Sequence, residues 1–121
     1  MISQTTDRPR VAHEALRCFI EAAFINQGLP QADAAQVAAL MAEADLQGSD
    51  GHGVIRLAPY LKRLRAGGIN KHPNIRVVHE RAAMAVIDGD NGMGHLVVSR
   101  AVEIAIEKAR SAGVIGIPSR A

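Results

Sequence analysis

The stretch AAMAVIDGDNGMGHLVVSRAVEIAIEKARSAGVIGIP, residues 82–118, decides the fold class. Its opening run, residues 82–88, is short and apolar, and so is NIRVVHE at 74–80 just before it. With only a short polar break between them, the two read as strands of a hairpin. GDNGMGH (89–95) is a turn cluster whose glycines are expected to supply positive φ. Residues 95–112 then change to helical spacing through Val98, Ala101, Val102, Ala105 and Ala109, and Gly113 marks the helix end. VIGIP (114–118) reads as the start of a further strand.

Upstream the period is helical throughout. Leu16, Phe19, Ile20 and Ala23 form an i, i+3, i+4, i+7 stripe in residues 12–27, which places Cys18 inside a helix as a small core residue. Gly28 stops this helix. A second follows Pro30, with Asp33 in its first turn, the stripe Val37, Leu40, Met41, Ala44, and Gly48 at its end. A third is expected to start near His52, with Leu57, Leu61 and Leu64 inward and Gly67-Gly68 closing it. The expected fold is therefore α+β: a three-helix layer, a β-hairpin, a long helix and the start of another strand. Residues 1–11 are expected as a disordered tail, 12–70 as the helical region, and 71–121 as a strand-strand-helix-strand unit.

A chain of 121 residues is the length of one ordinary domain, and 48% apolar content is enough for a core. A net charge of +2 and 2% aromatics give little with which to hold nucleic acid. The cluster Lys62, Arg63, Arg65 reads as a solvated helix face. A single cysteine excludes an internal disulfide and a zinc ribbon. His13, His72 and His79 show no metal-ligand spacing, so no metal is expected. The opening MISQTTDRPR has no apolar signal core, and no run approaches the ~20 apolar residues of a membrane span. A soluble, cytoplasmic chain is the expectation.

Chemistry concentrates in ADLQGSDGHGVIRLAPYLKRL, residues 44–64. His52 and Arg56, four apart on one helix, would share a face. A guanidinium can grip a carboxylate with two parallel hydrogen bonds, and an imidazolium beside it can donate a proton to a ketone oxygen. That pairing suits reduction of a 2-oxo acid. A turn histidine beside an exposed arginine is the plain alternative, and spacing alone leaves it standing. Ser49, Asp50 and His52 are too close in sequence for a nucleophilic triad. The turn at Gly89, Gly92 and Gly94 runs G-x-x-G-x-G, and Asp88 and Asp90 would repel phosphate, so a tight strand-to-helix turn is preferred to a nucleotide loop. His95 at the helix start could line a pocket, but a solvent-facing position is the preferred expectation.

Residues 44–70, ADLQGSDGHGVIRLAPYLKRLRAGGIN, resemble the signature of the malate/L-lactate dehydrogenase family, NAD(P)-dependent 2-oxoacid reductases without a Rossmann fold. The likeness extends through VIDGDNGMGHLVVSRAVEIAIEKARSAGV, and it covers nearly all of residues 12–114. It implies that His52 is the proton donor to the substrate carbonyl, that Arg56 binds the substrate carboxylate, and that Tyr60 lines the substrate pocket. It also implies NAD or NADP as cofactor, bound by a domain beyond Ala121 and not by this chain, which would then be an N-terminal portion and inactive alone. Gly51 stands where serine is common in the family, and Asp50 is the expected replacement cap. A homodimer is expected, because surface meant for missing segments would be bare. A non-catalytic helical interaction or dimerisation module derived from the family is the rival reading.

Overall fold

A computed structural model describes residues 9–120. The expected tail falls largely outside them; residues 9–12 are irregular and exposed. The elements are α1 (His13–Asn26), α2 (Gln31–Leu46), α3 (Leu57–Arg65), β1 (Arg76–Arg81), β2 (Met84–Asp88), α4 (Gly94–Ala112) and β3 (Ser119–Arg120). Two single-turn 3-10 helices, Asp50–His52 and Val54–Arg56, precede α3. The α+β order read from the sequence is the order observed. Gly28, Gly48, Gly67 and Gly113 take positive φ just past the four α-helices, as their positions require.

The helical layer closes around one core. Ile20 and Phe24 of α1 meet Ala34, Val37, Ala38 and Met41 of α2, Leu57 and Leu64 of α3, and Ile69. The alanines let α1 and α2 approach closely, so aliphatic and single aromatic groups fill the space. Met93 and Leu96, around the start of α4, complete this core from the other half of the chain.

A second, smaller core lies under the sheet. Ala85 and Ile87 alternate inward from β2 onto Val97, Ala101 and Ile104 of α4. Ile75 packs against both cores and ties them together. The sheet order is β1-β2-β3. The β1–β2 hairpin is antiparallel, with Arg81 opposite Met84 and an irregularity between Val77 and His79. Strand β3 lies parallel to β2, Ile87 opposite Ser119, so α4 serves as the crossover of a β-α-β unit. The strand expected at 114–118 pairs only through Gly116 with Met84 before β3 proper begins.

Three helical faces differ from the sequence reading. Phe19, Leu40, Val98 and Val102, expected inward, are exposed. Each helix carries apolar residues on more than one face, and tertiary packing selects the neighbouring stripe. In α4 that is Leu96, Val97, Ala101 and Ile104. Cys18, expected in the core, is likewise exposed and lies beside Glu14 and Arg17.

Candidate functional site

The segment between α2 and α3 is shaped by a carboxylate that the sequence pattern did not single out. The Val54 amide donates to Asp45 Oδ2 at 2.7 Å. In a continuous helix that amide would bond to the carbonyl four residues back. Asp45 diverts it, and Gly51 and Gly53 have low helical propensity. The chain therefore makes two separate turns, and α3 begins at Leu57 rather than near His52. Gly53 is required by close approach, since a Cβ there would overlap the Asp45 carboxylate. Neither Ser49 nor Asp50 caps these turns through its side chain, so the expected Asp50 cap is replaced by Asp45.

This corrects the idea that His52 and Arg56 share one helix face. The two turns are linked by another route. Arg56 Nε donates to the Gly51 carbonyl at 2.9 Å, which folds the guanidinium back onto the turn that carries His52. Its two terminal nitrogens have no hydrogen-bond partner among the described residues. Both side chains are exposed.

Tyr60, one turn into α3, and His95, at the start of α4, are brought together edge to face. Their ring centroids are 5.7 Å apart at an interplanar angle of 83°. They line an open cleft of about 730 Å³ with Leu40, Val98, Val102 and Glu103. His95 was expected to face solvent; instead it is half-buried, and its Nδ1 is shielded without a hydrogen-bond partner. Burial first, and then the charge of nearby His52, hold His95 below the ordinary histidine range. His95 thus stands against Tyr60 and within the field of His52, and Arg56 is tied to the His52 turn through Gly51.

The glycine turn does not form a phosphate cradle. Positive φ falls on Asp90 and Asn91, not on the glycines. Both are residue types that tolerate the left-handed region. The Asp90 carboxylate is occupied by the Asn74 amide and Asn70 Nδ2, at 2.9 and 3.0 Å. Gly92 is needed because a Cβ would press on Pro73. The basic side chain that reaches this turn among the described residues, Arg76, is paired with Asp88 at 3.3 Å, so the turn presents carboxylates and not a cradle for a pyrophosphate.

Comparison with known proteins places this geometry. The malate/L-lactate dehydrogenase family profile matches residues 11–119. The chain belongs to that family. It is 42% identical over 105 residues to the malate dehydrogenase of Pyrococcus horikoshii, covering 87% of this chain and 29% of that one. It is 43% identical over 93 residues to the L-sulfolactate dehydrogenase of Methanocaldococcus jannaschii, covering 77% and 27%. The solved structure of the P. horikoshii enzyme superposes with a TM-score of 0.88, over 92% of this chain and 32% of that chain. This member of the malate/L-lactate dehydrogenase family thus spans about 30% of its curated relatives, and across that span it shares their fold. Among the described residues, no helix is long and apolar enough to cross a membrane.

Proposed function

We propose that this chain supplies the substrate motif of an NAD(P)H-linked enzyme that interconverts a small 2-oxo acid and its 2-hydroxy acid. The observation that carries the reading is the Arg56–Gly51 bond. With Nε anchored, the two terminal nitrogens of the guanidinium remain as a planar pair suited to a carboxylate. His52 lies on the turn of Gly51, to which Arg56 is anchored. In the reductive direction a C–H bond forms at C2, the carbonyl electron pair moves to oxygen, and His52 delivers the proton that makes the hydroxyl. Tyr60 lines the pocket on the side of His95. The reducing equivalent is NADH or NADPH, for which the glycine turn offers no phosphate cradle, and the 121-residue chain alone is expected to lack turnover.

The working form is proposed to be a cytoplasmic homodimer. Supporting the dimer is apolar surface left exposed outside the cleft lining, at Phe19, Leu46 and Ile106. The same surface supports the second reading, a non-catalytic dimerisation module. Kinetics on the protein that carries this segment separate the two. The enzyme reading expects NADH or NADPH oxidation that depends on a 2-oxo acid and falls steeply in His52→Ala. A folded protein without such oxidation favours the module.

A further inference from the structure

An Asp or Asn followed by glycine is a point where the main chain can attack its own side chain. The glycine nitrogen, unhindered because its residue has no Cβ, adds to the side-chain carbonyl carbon of the residue before it. A five-membered imide closes, and water or ammonia leaves. The chain holds three such pairs: Asp50-Gly51, Asp88-Gly89 and Asn91-Gly92. By chemistry alone Asn91 reacts first, because an amide carbon is a better electrophile than that of an ionised carboxylate.

The fold reverses that order. Asn91 Nδ2 donates to the Gly68 carbonyl at 3.3 Å, and the Asn91 carbonyl accepts the Asn70 amide at 2.9 Å. The Gly92 nitrogen, which would have to attack, is buried against Pro73 and donates to the Gly89 carbonyl at 2.9 Å. The Asp88 carboxylate accepts from Arg76 and from the Asp90 amide, within a strand paired on both sides. Asp50 differs on every count. Its side chain is exposed and has no partner among the described residues, and the Gly51 amide donates no hydrogen bond among them. Only one turn of 3-10 helix holds the pair, through His52 to Ser49 at 2.9 Å and Gly53 to Asp50 at 3.3 Å. So short a turn opens at little cost.

We propose that Asp50 is a self-modification site, converted through an imide with Gly51 to isoaspartate, and that in the folded chain it reacts ahead of Asn91. The Gly51 N–Cγ bond forms as one Cγ–O bond breaks. That oxygen departs as water, with the amide proton and, from the ionised carboxylate, one proton of the solvent. Hydrolysis of the other imide C–N bond returns a water and a proton, so mass and oxidation state are unchanged. The isomer routes the main chain through Cβ and Cγ of Asp50, one carbon longer, directly before Gly51. The Gly51 carbonyl anchors Arg56 Nε, so the conversion loosens the guanidinium from its turn. None of this depends on the proposed function.

The test is ageing of the 121-residue chain in warm neutral buffer, folded and in guanidinium chloride. Isoaspartate is located by tandem mass spectrometry of the digest and by methyl transfer from labelled S-adenosylmethionine with an isoaspartyl methyltransferase. The folded chain should carry about tenfold more imide-derived product at Asp50 than at Asn91, because only the latter must wait for a larger opening. In guanidinium chloride Asn91 should lead. A Cβ at Gly51 meets nothing within 4 Å, and its φ is not positive, so Gly51→Ala should fold normally. It should lower the Asp50 product by about tenfold, by hindering the attacking nitrogen. Asp50→Glu, whose ring would be six-membered, should lower it as well. The Arg56 Nε–H resonance should shift in proportion to the isoaspartate formed. Product at Asn91 first in the folded chain, no product at Asp50, or a yield indifferent to Gly51→Ala overturns the proposal. An Arg56 resonance that stays put as isoaspartate accumulates overturns the link to Arg56. Each of these results leaves the proposed function standing.

Discussion

The Asp45 carboxylate accepts the Val54 amide at 2.7 Å, and a side chain at Gly53 would occupy the same space. One acidic residue at the end of α2 thus sets the path of the turns that carry His52 and Arg56. Asp45→Ala should cost about 1.5–3 kcal/mol, the scale of a hydrogen bond to a charged group. Gly53→Ala should destabilise the protein when Asp45 is present and much less in an Asp45→Ala background. A denaturant double-mutant cycle measures that coupling, and additive losses would separate the two residues.

The choice of helix face in α1 can be tested by truncation. Phe24 is fully buried, whereas Phe19 is 62% exposed. Phe24→Ala should cost about 3–5 kcal/mol through lost burial and a residual cavity. Phe19→Ala should stay within about 0.5 kcal/mol in the same unfolding assay. Equal losses would restore the stripe read from the sequence.

His95 gives stability a pH dependence of known sign. Its pKa is lowered in the folded protein, so the unfolded chain binds more protons as pH falls below the ordinary histidine value of 6.5. Stability therefore rises with pH through the window between the lowered folded value and 6.5, and the penalty is fully present below it. Urea midpoints at pH 7.5 and 5.5 should differ less in His95→Gln than in the unsubstituted protein. An unchanged difference would place the titration elsewhere.

Arg56→Lys retains charge but loses the planar fork and the Nε bond to Gly51. Substrate binding should weaken by on the order of 1.5–3 kcal/mol, seen as a raised KM for the 2-oxo acid. The corresponding amide, which lacks the carboxylate, should lose little. Equal losses for both would make Arg56 a structural residue.

Much of this architecture is legible in the residues themselves. The glycines at 28, 48, 67 and 113 mark all four α-helix ends, and the change from period 3.6 to short apolar runs marks the sheet. What escaped was set by contacts distant in sequence. Phe19 and Leu40 match a helical stripe as well as their buried neighbours do, and only packing chooses between them. Asp45 carries no local signature, because its partner, Val54, lies nine residues on. His95 read as solvated because the ring that covers it, Tyr60, comes from another helix. At the glycine turn, Gly92 was read for positive φ, but its role is to admit Pro73, a contact with no local signature.

The central claim is that His52 delivers a proton to a substrate held beside it. It is tested most directly by kcat for 2-oxo acid reduction, across pH, in the protein carrying this segment and in its His52→Ala variant. The account predicts a fall of about 10²–10⁴-fold, the usual worth of positioned acid catalysis, with a smaller change in KM. A kcat unchanged at every pH would contradict it.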